Sequence, residues 1–168
     1  MNIGEICTRE VVMADRESTL QQAATLMREH HVGMLLVTGN AGAAQQVLGI
    51  VTDRDVVVEA VARGLDTTRT ELGRLASDKL AALPASAGIG EAISLMKQRG
   101  VRRLLVSGDA GQLYGVVSID DLLGALGHEM AELAHALRKG IDREAAERAP
   151  LAAAPQPQPL HIPAYAFA

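Results

Sequence analysis

Residues 49–55 read GIVTDRD, and residues 115–121 read GVVSIDD. Each stretch runs glycine, two apolar residues, a hydroxyl, two more residues and an aspartate. An apolar pair after a glycine reads as the end of a buried strand. A hydroxyl with a carboxylate three places on reads as the start of a helix. The spacing has two chemical readings. In the first, Thr52 with Asp55 and Ser118 with Asp121 form capping boxes. The hydroxyl accepts from a free backbone N–H, and the carboxylate reaches back to the cap residue. In the second, the helix N-terminus holds a phosphate through its unpaired N–H groups and partial positive charge. The hydroxyl also bonds that phosphate, and the carboxylate accepts from the two hydroxyls of a ribose. The flanking strands supply an apolar slot for a base. A nucleotide uses all three parts together.

Working outward, the likeness extends along the chain. A shift of 69 positions lays Leu20, Ala23, Ala24 and Met27 on Ile89, Ala92, Ile93 and Met96. Both sets have the i, i+3, i+4, i+7 spacing of a helix face. The same shift lays VGMLLVTGN (residues 32–40) on VRRLLVSGD (residues 101–109), each a short buried strand ending in a glycine-containing turn. Beyond that turn the shift falls to 66, so the hairpin loops differ in length, where a change costs least. A short apolar stretch precedes each first helix: REVVMAD and DKLAALPAS. Each repeat therefore reads as helix, strand, hairpin, strand, helix, with a junction between Gly64 and Asp78. Neither unit is large enough to bury a secure core alone, so the two are expected to pack sheet to sheet.

From Ser118 the last helix reads on, with Leu123, Leu126, Met130, Leu133 and Leu137 spaced as a helix–helix seam. Gly127 is a candidate break and Gly140 a candidate stop. The expected division is repeat 1 over residues 1–70, repeat 2 over 71–128, a helix over 129–148, and an extended Pro/Ala-rich tail over 149–168. His128, Glu132 and His135 share a helix face, but HEMAE is not the H-E-x-x-H signature, so the face reads as a solvated surface rather than a metal site. His30 and His31 read as ordinary helix C-terminal residues.

Composition narrows the function. Of 168 residues, 48% are hydrophobic, yet only two Tyr and one Phe are aromatic. The core must be aliphatic, and base-stacking platforms for single-stranded nucleic acid are missing. A formal net charge of −4 argues against a nucleic-acid partner. Cys7 is the sole cysteine, so no internal disulfide forms, and it reads as a small side chain rather than a nucleophile. A polar N-terminus and the lack of a long apolar run point to a cytoplasmic protein without a membrane partner.

The doubled GIVTDRD/GVVSIDD, each after an amphipathic helix and VGMLLV or VRRLLV, resembles a pair of CBS domains, the Bateman module. ICTREVVMADRESTLQQA also resembles that family's opening, and the likeness covers about residues 1–127. The resemblance implies an α/β (α+β) fold of two βαββα repeats, packed as a pseudo-two-fold module with two clefts. It implies a regulatory module, not an enzyme, that binds an adenosine-containing ligand and signals by a conformational or dimer change. AMP, ADP or ATP is the expected ligand, with S-adenosylmethionine or NAD as alternatives, and no required cofactor or metal. Asp55 and Asp121 would hold ribose, with Thr52 and Ser118 near phosphate or ribose. Arg54, Arg102 and Arg103 would reach phosphate, and Met34 would line an adenine slot. Gly33 and Met34 stand where repeat 2 has its arginines, and Asp120 follows Ile119 where repeat 1 has Arg54, so the two clefts should be unequal. On residue type alone, Arg102 and Arg103 read equally well as a solvated strand start with their stems on the core. A homodimer and a downstream protein partner complete the expectation. The alternative is a structural or interaction module that binds no ligand.

Overall fold

The computed structural model describes residues 1–41, 44–77 and 79–148. The chain divides into two units, Met1–Leu126 and Gly127–Ala168.

In the first unit the order is α1 (Ile3–Ile6), β1 (Met13–Asp15), α2 (Leu20–Glu29), β2 (Met34–Ala41), β3 (Ala44–Thr52) and α3 (Asp53–Asp55). A π-helical segment, Val56–Val61, follows α3 directly, and a 3-10 turn spans Leu72–Arg74. Three successive valines crowd the preceding turn of an α-helix, and here that run is wound wider. Next come β4 (Ala82–Pro84), α4 (Ile89–Arg99), β5 (Arg103–Ser107), β6 (Leu113–Ser118) and α5 (Ile119–Glu147). Two three-stranded sheets result, β1-β2-β3 and β4-β5-β6. In each, the first strand runs parallel to the second and the second antiparallel to the third. Leu36 faces Ile50 and Leu105 faces Val116, so the internal repeat is exact at the level of register.

Each sheet packs on its own helix. Leu20, Ala23 and Met27 of α2 are buried with Leu35, Val37 and Val51; Ala92 and Met96 of α4 are buried with Leu104, Val106 and Val117. Ala24 and Ile93, expected on the same face, are exposed. The buried stripe is narrower than the spacing suggests, because a three-stranded sheet covers only part of the helix. Thr19 caps α2, with its hydroxyl accepting from the Gln22 N–H at 3.2 Å and its own N–H donating to Gln22 Oε1 at 2.8 Å.

The two cores exchange their leading segments. Ile3 of α1 is fully buried in the core of the second repeat, whereas Leu72 of the 3-10 turn is fully buried in the core of the first. Thr8 and Val116 exchange backbone hydrogen bonds of 2.9 Å in both directions, and Ile50 and Ser77 do the same at 3.3 and 3.1 Å. This crossing explains the first residue of each motif. A Cβ on Gly115 would lie 2.6 Å from the Thr8 carbonyl oxygen, and one on Gly49 would lie 2.8 Å from that of Ser77. Only glycine admits the other repeat's segment.

The structure departs from the sequence expectation at three other places. Strand β2 continues through Gly39 to Ala41, where a turn was expected. Leu48 and Arg16 pack over Gly39, so this glycine serves close packing rather than a bend. His31 is not an ordinary helix end: its φ of 53° is left-handed, as is the 63° of Gly100 at the equivalent place in repeat 2. Helix α5 neither breaks at Gly127 nor stops at Gly140 but is continuous over 29 residues, roughly 43 Å. Ala, Leu, Glu and Arg around these glycines are good helix formers and absorb their cost. The expected tail, residues 149–168, lies outside the described residues.

Among the described residues no helix is long and apolar enough to cross a membrane. No group of three or more His, Cys, Asp or Glu there gathers in an arrangement that could hold a metal ion, His128, Glu132 and His135 included.

Candidate functional site

Both motif aspartates are used as helix caps. Asp121 Oδ2 accepts from the Ser118 backbone N–H at 2.7 Å and from the Ser118 hydroxyl at 2.6 Å, while the Asp121 N–H donates to Ser118 Oγ at 3.2 Å. Asp55 Oδ2 accepts from Thr52 in the same way, at 2.8 and 2.7 Å, with 3.3 Å for the return bond. The helix starts are further pinned by Ile119 N–H to the Arg102 carbonyl at 3.0 Å and Asp53 N–H to the Gly33 carbonyl at 3.1 Å. In both caps one carboxylate oxygen does all the accepting. Among the described residues no hydrogen bond reaches Oδ1 of either aspartate.

A cleft of about 230 Å³ opens where the repeats meet. Ser118 and Asp121 line it from the start of α5, Arg103 from the start of β5, and Gly33 and Met34 from the start of β2. The crossing segment adds Thr8 and Glu10, and Val11, Val12, Val32 and Val116 make the apolar wall. Arg103, Ser118 and Asp121 are half-buried, so a bound group would meet them partly shielded from water. The arrangement offers one guanidinium, the hydroxyls of Thr8 and Ser118, the carboxylates of Glu10 and Asp121, and an apolar wall; among the described residues Oδ1 of Asp121 is uncommitted.

The sequence-derived residues divide. Met34, Arg103, Ser118 and Asp121 come together in this cleft; Thr52, Arg54, Asp55 and Arg102 do not line it. Arg102 and Arg103 were expected to act side by side. Neighbouring residues entering a strand face opposite ways, and Arg102 is exposed while Arg103 turns into the cleft. Thr8, Glu10, Val11 and Val12 were not anticipated as lining. Their signal lay in the crossing of segments, which spacing within one repeat cannot reveal.

Comparison with known proteins agrees with this architecture. The family model for the CBS domain matches twice, at residues 3–61 and 72–128. Hypoxic response protein 1 of Mycobacterium tuberculosis is 35% identical over 122 residues, covering 73% of this chain and 78% of that protein. The crystal structure of Hypoxic Response Protein I, with two coordinated zinc ions, matches at a TM-score of 0.60 and 32% identity, over 73% of this chain and 97% of that one. The hexameric CBS-CP12 protein from bloom-forming cyanobacteria matches at 0.64 and 26% identity, over 73% and 69%. A CBS domain protein of Pyrobaculum aerophilum complexed with AMP matches at 0.62 and 24% identity, over 72% and 89%; at that identity the likeness is one of fold. With two tandem matches over most of its length and the corresponding paired sheets, the chain belongs to the CBS domain family.

Proposed function

We propose that this protein is a regulatory module, not an enzyme, that binds an adenosine-containing nucleotide in the cleft lined by Arg103, Ser118 and Asp121. The observation that carries the reading is the division of labour on Asp121. Oδ2 is committed to the helix cap, and Oδ1 has no partner among the described residues and is available to ribose hydroxyls. The base lies against Met34 and the valine wall, and Arg103 meets phosphate. The AMP-complexed relative supports the ligand class.

Charge sets the order of ligands. Arg103 is the one cation lining the cleft among the described residues, and Glu10 and Asp121 line it too. Asp120 precedes Asp121 in sequence. A second or third phosphate adds charge with no further cation to meet it, so AMP binds more tightly than ADP, and ADP more tightly than ATP. The volume sits below the roughly 300–1,000 Å³ of ordinary ligand pockets, so the phosphate end projects outward. Ligand joins residues of both repeats, tightens their contact and shifts the geometry that a paired chain and a downstream partner read. Pairing of two chains in the cytoplasm is part of this reading, and the hexameric relative supports assembly of such modules.

A second reading has its own observation. Each capping box is complete without any ligand, as a purely structural interaction module requires. Calorimetric titration of nucleotide-free protein with AMP, ADP, ATP, NAD and S-adenosylmethionine separates the two. Saturable binding with AMP tightest is expected. No heat with any of them at millimolar concentration leaves the structural reading standing, and tightest binding of ATP refutes the charge argument.

A further inference from the structure

Beyond Gly127, helix α5 carries an apolar stripe that nothing covers among the described residues. Met130 is 72% exposed, Leu133 71%, Leu137 66% and Ile141 57%. Met130, Leu133 and Leu137 follow the 4-3 alternation of a two-helix seam, and the next seam position is Gly140. We propose that this stripe is the seam on which a second copy of the chain docks, with the two helices antiparallel.

The residues complement themselves in that direction. With Leu133 facing Leu137 of the second copy, Met130 faces Gly140, and Glu129 faces Arg143. Gly140 has open space where a Cβ would stand, so the long methionine of the other copy fills the gap its missing side chain leaves. Glu129 has no ion-pair partner among the described residues, and Arg143 makes only an exposed 3.8 Å contact with Glu147. Both are free to pair across the seam. Ala134 and Ala136 flank the leucines and let the helices approach closely. The parallel alternative loses each of these matches. Gly140 then faces Gly140, Glu129 faces Ala134, and Arg143 lies opposite Arg148. The stripe ends where Glu144 and Glu147 take the next seam positions, so the contact spans roughly four turns, and assembly depends on concentration. The inference rests on the pairing proposed above for its partner but not on the nucleotide.

The test is sedimentation velocity of the full chain across a concentration series. The wild type should gain mass with concentration. Leu133→Glu with Leu137→Glu, at positions too exposed to unfold the helix, should weaken association at least about tenfold, with circular dichroism unchanged. Glu129→Arg and Arg143→Glu should each weaken it; together they should restore it to within about twofold, because the pair is reversed and not lost. A wild type that stays a monomer overturns the proposal. So does a mass indifferent to the leucine changes, which would shift pairing to another surface such as exposed Val57 and Val61. A charge double as weak as its singles overturns the antiparallel direction. AMP affinity of the leucine variant should equal wild type, so failure of the seam and failure of the cleft read out separately.

Discussion

Asp55 and Asp121 make the same cap with nearly the same distances, yet only Asp121 lines the cleft. Replacing each by alanine therefore separates what the cap contributes from what a ligand gains. Either change removes a capping box and the negative charge at a helix start, a loss of about 0.5–2 kcal/mol. In a chain of this size about 1 kcal/mol lowers Tm by roughly 2–4 °C. Both variants should melt lower, by similar amounts. Binding should part them. A charge-assisted hydrogen bond of about 1.5–3 kcal/mol corresponds to a roughly ten- to hundredfold change in affinity. AMP titrated into Asp121→Ala should bind weaker by that factor, and into Asp55→Ala within about twofold of wild type. Equal losses would mean that AMP affinity follows stability, refuting the special role of Oδ1 at Asp121. The reverse pattern would place the ligand at the equivalent position in repeat 1, where Lys79 and Arg102 stand in place of Glu10 and Gly33.

Three further outcomes follow from particular contacts. Arg103→Glu should weaken AMP binding by at least about tenfold, and Arg102→Glu by less than about twofold, in the same calorimetric assay; equal effects would contradict the opposite facing of these neighbours. Gly115→Ala places a Cβ 2.6 Å from the Thr8 carbonyl and 2.9 Å from the Cys7 sulfur. Because backbone cannot yield there, urea denaturation should show a loss of about 1–3 kcal/mol, and a neutral result would mean the crossing segment is loosely held. His31→Gly relieves a left-handed residue, so the protein should gain up to about 1 kcal/mol, whereas Gly100→Ala at the matching position should lose about that much.

The repeat and the order of elements were legible in the sequence because burial imposes its period on every strand and helix that packs. Leu35 and Leu104, or Met27 and Met96, can be matched by spacing alone since each answers to the same local geometry. What spacing could not carry was contact between segments far apart in the chain. Ile3 fills the second core and Leu72 the first, so the glycine opening each motif is explained by a segment tens of residues away. Arg102 could not be told from Arg103 without the strand's starting phase, and Glu10 had no local sign of facing a cleft. His31 showed nothing unusual as a letter, because only the backbone reveals that it holds glycine's place.

The hydroxyl–aspartate spacing was legible and yet undecided, for a chemical reason. A capping box and a ribose clamp call for the same side chains one helical turn apart, so the choice between them is not written in the motif. A carboxylate has two oxygens, and the cap takes one. The same aspartate can then close its own helix and face a ligand without conflict, and the cap does part of the ligand's work in advance. Held through Oδ2, Asp121 would have less side-chain freedom to lose if Oδ1 met a ribose, so the bond would form at a lower ordering cost. Whether a capped aspartate serves a site then depends on what stands across from it. For Asp121 that is Met34 from the other repeat and Thr8 from the crossing segment, with Arg103 beside it. On the proposed reading, the exchange of leading segments would turn a structural cap into a binding group, and a ligand there would be held by both repeats at once.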